Sequence, residues 1–400
     1  MLTKSTLRSR VKPVAAVCVL GIAAFAIAGP LTPPTGPVES SYKTLGEVEP
    51  RIAINATNTP GGVLFTHYID KPGSYYLTGN ITGEAGKHGI AVSVPGVTID
   101  LNGFELVGVP GSNNGVFFIT NGSRNFALRN GRVRNWGASG VDTATYNPHD
   151  VEITDVHASN NGAAGLYCAA RSRISRCVAA NNGTDGINTS ARAVIEDCSV
   201  WGNGDHGIET AGHCVVRRCE ARENVGAGIQ VNVFGTVVDC LASENTLQGI
   251  DAAAQTVVEH CTANENLSIG ILAAAACTIK NNHVSNNNLD GIRVSSQCFV
   301  ANNSSNNNGV NSALGAGIRA TGADNRIEGN NCGFQDIGFD IDVAGNILNR
   351  NTATNNTTNW TIVVGNAYGP IVATPAGAAV NGNTAAAALG STDPNANFTY

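Results

Sequence analysis

Six side chains able to move protons or carry charge fall close together in a recurring pattern: Asp142, His149, Tyr167, Asp185, His206 and Glu209. Two chemistries need groups of this kind. Removing a proton from a carbon beside a carboxylate calls for a base, a group that neutralises the carboxylate and an acid at any departing oxygen. His149 or His206 would serve as base or acid, because a neutral imidazole does either near neutral pH. Tyr167 would donate to the departing oxygen, and Arg171 or Arg192 would face the carboxylate if their turns point that way. Cleaving an acetal by hydrolysis needs two carboxylates instead, and Asp185 with Glu209 is the pair whose spacing allows it. Asp142, Asn147 and Trp201 complete the candidates, as groups that would hold a substrate. Taken singly, each of these residues is equally well explained as a polar group on the surface of a repeat.

The elements that must position them follow from that repeat. Gly followed by an apolar residue recurs at Gly89, Gly115, Gly140 and Gly165, then every 21 residues to Gly291, and again at Gly317 and Gly338. Self-similarity at a short fixed period marks a solenoid. The period is too short for a leucine-rich repeat, and long helices lack the residues to form them, so the expected fold is all-β: a right-handed parallel β-helix of coils about 21 residues long. Asn stands four places before the Gly at Asn161, Asn182, Asn203, Asn224, Asn245, Asn266 and Asn287, the arrangement of a hydrogen-bonded ladder from coil to coil. In each strand the residue beside an inward one faces out. The position two after each Gly therefore forms an outward row: Asp142, Tyr167, Asn188, Glu209, Gln230, Asp251, Leu272, Arg293, Arg319 and Asp340. A shallow groove across such strands suits a polymer, each unit meeting another coil. The expected organisation is 1–28 signal, 29–88 amino-terminal cap, 89–353 β-helix and 354–400 carboxy-terminal cap or tail.

Lys4, Arg8, Arg10 and Lys12 precede an apolar stretch from Val14 to Ala26, and Ala26-Ile27-Ala28 fits a small-x-small cleavage site. A secreted, periplasmic or cell-surface location is expected, with no membrane insertion once the signal is gone. Cleavage would leave 20 basic and 30 acidic residues, a net charge near −10, which excludes a general nucleic-acid binder. Cys177, Cys198, Cys219, Cys240 and Cys261 recur at the coil period, so they read as a column of small buried thiols and not as a disulfide framework. No EF-hand, calcium-binding nonapeptide repeat, paired zinc ligands or nucleotide loop is present. No cofactor or metal is assigned, although the acidic residues leave calcium a candidate.

The string PGSYYLTGNI, followed by GVTIDLNGFEL and the Gly-Ile coils, resembles the exported bacterial right-handed β-helix repeat proteins of the pectate-lyase-like superfamily. That resemblance implies polysaccharide lyases, uronan epimerases or glycoside hydrolases, and also includes noncatalytic surface proteins. YNPHDVEITDVHASNNGAAGL, Tyr146 to Leu166, is similar to the segment around the Asp-Pro-His motif of mannuronan C5-epimerases. Pro148 and His149 match that motif, but its Asp is Asn147 here, its preceding Tyr falls on Ala144 and its second Asp on Ala169. The expected function is thus a polysaccharide lyase or epimerase, with hydrolysis or a noncatalytic extracellular binding or structural role as alternatives. The tryptophans Trp136 and Trp201 discriminate: in the groove beside His206 they favour an enzyme, and packed elsewhere they favour a structural protein.

Overall fold

Each coil is closed by three bends, and the backbone shows how they are made. In one coil Arg171, Arg176 and Asn181 adopt the left-handed conformation (φ 60°, 51° and 53°), and in the next Arg192, Asp197 and Gly202 do so (φ 64°, 56° and 66°). Between the bends lie strands of three residues: Leu166–Cys168, Arg173–Ser175 and Val178–Ala180, then Ile187–Thr189, Val194–Glu196 and Ser199–Trp201. The computed structural model describes residues 50–121, 124–146, 149–309, 315–373 and 391–400. The proposed signal, Asn147 and Pro148 lie outside the described residues.

The first strands of successive coils stack into one fourteen-stranded parallel sheet, running from Phe65–Ile69 to Thr358–Ile362. The second and third strands form a 28-stranded sheet that folds around the remaining corner, joined there by the long strands Arg124–Arg134 and His149–Ser159. The inward columns make the core. Ile187, Ile208, Ile229, Ile250, Ile271 and Ile292 are fully buried, facing Ile195, Val216 and Val237 of the second strands and Val200, Ala221 and Ala242 of the third. Branched residues suit strands buried on a solenoid's inner side, and the small residues let the three walls meet.

The Gly and Asn columns prove to be parts of one device. The Nδ2 of Asn245 donates to Oδ1 of Asn266 one coil on (2.9 Å) and to the Ala221 carbonyl (3.1 Å). The same bonds run from Asn161 through Asn308, where Gln335 takes over as acceptor. A Cβ on Gly228 would lie 2.6 Å from Asn245 Nδ2 and 2.8 Å from the Gly249 carbonyl oxygen. Only glycine lets the ladder approach the strand so closely.

The cysteine columns occupy the other two corners. All ten cysteines among the described residues are free and buried, and burial pushes the thiols of Cys168 and Cys332 upward. Toward the carboxyl end both columns change to asparagine, which the sequence pattern had not revealed. Cys261 N–H donates to Asn282, which starts a ladder through Asn303, Asn330, Asn351 and Asn397. Cys298 N–H donates to Asn325, which continues to Asn346 and Asn366.

Candidate functional site

The outward row is in register as its spacing required. Asp142 pairs with Tyr167, Tyr167 with Asn188, Asn188 with Glu209, Glu209 with Gln230 and Gln230 with Asp251. Leu272, Arg293, Arg319 and Asp340 continue it. What the row does not give is the bonding between neighbours. Asp185, at the bend entering Ile187–Thr189, accepts the His206 backbone N–H on Oδ1 (3.2 Å) and the Asn188 amide on Oδ2 (2.9 Å). The same amide nitrogen donates to Glu209 Oε2 at 2.5 Å. One Asn188 nitrogen therefore joins two carboxylates, at 2.9 Å and 2.5 Å, so that their bonded oxygens lie no more than about 5.4 Å apart.

Electrostatics separates the members of this group. Burial, then the neighbouring Asp185 charge, hold the Glu209 carboxyl above the usual carboxylate range, against opposing effects of His206 and Asn188. His206 Nδ1 accepts the Ala227 N–H at 2.9 Å, which leaves the proton of a neutral ring on Nε2, 3.5 Å from Asp205 Oδ1. Gly226 makes the room: a Cβ there would come within 2.7 Å of His206 Nδ1. Two coils beyond, Asp251 is also raised, chiefly by burial, with the Gln230 hydrogen bond opposing. Glu209, Gln230, Asn232, Asp251 and Ala253 line a cleft of about 300 Å³, and a second hollow of about 370 Å³ continues it over Leu272, Arg293 and Thr321. Asp251 lay in the sequence row, but its burial, which is what distinguishes it, has no signature in sequence.

The other predicted residues are placed apart. Asp142 is buried and turned onto its own bend, accepting the N–H groups of Ala144 and Thr145, the Thr145 hydroxyl (2.7 Å) and the Asn114 amide. Tyr167 stands exposed one coil before Asn188. His149 begins the strand His149–Ser159 of the larger sheet, pairing with Arg124. It follows the strand of Asp142 whereas His206 precedes that of Glu209, so the two imidazoles lie at opposite sides of the row and about 14 Å apart along the axis. Arg171 and Arg192 occupy left-handed bends past the far ends of their strands, away from Asp185. Asn147 is outside the described residues.

Four arginines of the central coils, Arg173, Arg176, Arg217 and Arg218, are engaged in ion pairs on the larger sheet. Glu196 is held by Arg173, Arg217 and Arg218, Asp197 by Arg218 and Asp155 by Arg176. Trp136 is buried, donating to the Leu106 carbonyl at 3.2 Å, with Gly83, Gly89 and Gly115 against its ring. Trp201 lies on a third strand with the Arg222 guanidinium 5.7 Å over its ring. Neither indole lines the cleft. A wider hollow of about 610 Å³ sits at the corner floored by Cys198, Cys219 and Cys240, remote from the row. Among the described residues no group of three or more His, Cys, Asp or Glu converges as metal ligands.

Comparison with solved structures finds low-level likeness throughout. The A-module of the Azotobacter vinelandii mannuronan C-5 epimerase AlgE4 is 15% identical, with 68% of this chain and 87% of that one covered at a TM-score of 0.48. The periplasmic alginate epimerase AlgG is 13% identical (66% and 74% covered, TM-score 0.44). The Dettilon tailspike protein is 14% identical (71% and 57% covered, TM-score 0.36). No protein among those of curated function matches. Residues 114–256 match the family model described as right handed beta helix region, and the coils described above carry the same architecture beyond both ends of that match: the chain is a right-handed parallel β-helix protein.

Proposed function

We propose that this is an exported carbohydrate-active β-helix protein that hydrolyses a glycosidic bond of a polysaccharide lying along the fourteen-stranded sheet. The observation that carries the reading is the Asn188 amide shared by Asp185 and Glu209, with Glu209 the carboxyl raised by its surroundings. Glu209 gives its proton to the departing glycosidic oxygen as that bond breaks. Asp185 attacks the anomeric carbon, and water then displaces it while Glu209 takes the water's proton. A carboxylate separation of about 5 Å is that of a retaining hydrolase. His206 holds Asp185 through its backbone N–H, and its Nε2 lies 3.5 Å from Asp205 Oδ1.

Proton abstraction from a uronate fits this cluster less well. Of its base and acid candidates, His206 is in the cluster and Tyr167 neighbours Asn188 in the row, but His149 lies on the larger sheet, and Arg171 and Arg192, which would face the carboxylate, sit past the other ends of their strands. Asp251 supports a variant of hydrolysis. It lies two coils from Glu209 in the same cleft, about 9.6 Å along the axis, near the upper end of the roughly 6.5–9.5 Å carboxyl separation of an inverting enzyme, in which Asp251 would be the base toward water. A noncatalytic structural repeat protein is the second reading, favoured by the placement of Trp136 and Trp201 away from the cleft.

A screen of the purified protein on neutral and acidic polysaccharides, with and without calcium, tests the proposal by new reducing ends and by the ultraviolet absorbance of unsaturated uronate. Reducing ends without that absorbance are expected, lowered about 10³-fold in Glu209→Gln and lost in Asp185→Asn. Retention at the anomeric carbon, read by NMR, assigns Asp185 as nucleophile, and inversion assigns Asp251. Unsaturated product would overturn hydrolysis, and silence in both channels would leave the noncatalytic binding or structural reading.

A further inference from the structure

The charge and shape of the cleft point to its ligand, on the reading that this cleft is where a glycan lies. We infer that the glycan is uncharged and rests against the exposed ring of Phe234. Over the coils that form the cleft, the outward row supplies Glu209, Gln230, Asp251 and Leu272 before reaching any cation. The arginines that follow are already engaged: Arg293 by Asp290, whose carboxylate is buried, and Arg319 by Asp342 and Asp340. On the side entering the strands the flanking groups are Asp185, Asp205 and His206. A polyanion laid in the cleft would bring its carboxylates against Glu209 and Asp251, and the arginine that lines it, Arg293, is already paired with Asp290; like charges in one cleft repel.

At the other side the bend column reads Arg171, Arg192, His213, Phe234, Gln255 and Ala276, all left-handed. The two arginines belong to the coils of Tyr167 and Asn188, upstream of the cleft. Beside the cleft itself stands Phe234, 47% exposed with φ 61°, two residues past Asn232 of the cleft wall. Its ring is stacked on His213 one coil back, centroids 4.8 Å apart and planes within 10°. A bulky apolar residue gains nothing from exposure in a left-handed bend, and Gln255 shows that a polar residue fits the same bend one coil on. An aromatic face braced by a second ring gives the C–H face of a neutral sugar a flat surface, a role the two tryptophans do not fill.

The test is binding of the full protein to a printed array of neutral glycans and of glycans bearing uronate, sulfate or sialate, for the native chain and for Phe234→Gln, Phe234→Trp and Glu209→Gln. Binding confined to neutral glycans is expected, weakened at least about tenfold in Phe234→Gln and kept in Phe234→Trp, as loss of one stacking contact implies. Glu209→Gln removes one of the cleft's carboxylates and is expected to relax the exclusion of acidic glycans, and binding of neutral glycans by the native chain without turnover would sink the hydrolytic reading and leave this one standing. Preferential binding of acidic glycans, full affinity in Phe234→Gln with an unchanged melting temperature, or no binding at all would overturn the inference.

Discussion

At the scale of single residues, the site is defined by where carboxylates are placed relative to water and to each other. Glu209 and Glu196 are opposites. Glu209 is raised by burial and by Asp185, so its folded value exceeds the unfolded one, and the stability it contributes is present below the ordinary carboxylate range and lost as pH rises through the raised value. Glu209→Gln should therefore melt no lower than the native protein at neutral pH while losing turnover, and a lowered melting temperature there would contradict the burial argument. Glu196 is held low, first by its hydrogen bond from Arg217, with Arg173 and Arg218 adding to it. Its contribution is present above the ordinary carboxylate range and disappears as pH falls through the lowered value. Glu196→Gln should be less stable than the native chain at neutral pH, with the gap in melting temperature closing in acid. Asp142, Arg171 and Arg192 were legible as charged residues at repeat positions, but not as an acid spent on its own bend and two cations turned to the far side. Those outcomes rest on bend geometry and on partners distant in sequence.

At the scale of the element, one coil is held to the next by a continuous amide chain. Asn224 accepts from both the backbone N–H and the Nδ2 of Asn203, all of it buried. Asn224→Ala leaves the Asn203 backbone N–H and one hydrogen of its Nδ2 without an acceptor and should cost about 2–6 kcal/mol in urea unfolding, at 1–3 kcal/mol for each buried unsatisfied group. Gly228→Ala should be worse than a surface Gly→Ala change, because its methyl would meet the Asn245 amide and the Gly249 carbonyl, neither of which can move without breaking the ladder. The Asn161 to Asn287 ladder was legible because it keeps one residue type at one spacing. The two later ladders were not, because Cys gives way to Asn within the same column and only the shared backbone position reveals that they are continuous.

At the scale of the whole molecule, a stack of coils shields whatever points inward for its entire length. The ten cysteines among the described residues should be silent to an aromatic disulfide reagent in the native protein and react together on unfolding, and rapid native reaction of several would show that the corners open. The sequence by itself determined the β-helix, the coil length, the inward and outward positions and the register of the row from Asp142 to Asp340. It could do so because strand alternation and the Gly–Asn contact repeat locally, so the period carries the third dimension. Only the tertiary structure decided which members of that row act together. Asn188 joins Asp185 to Glu209, Trp136 turns inward, the arginines of the larger sheet find Glu196 and Asp197, and Phe234 stacks on His213 at the edge of the cleft. Each of these depends on how a bend aims a side chain across coils, and a repeat period fixes the height of a residue along the axis but not that aim.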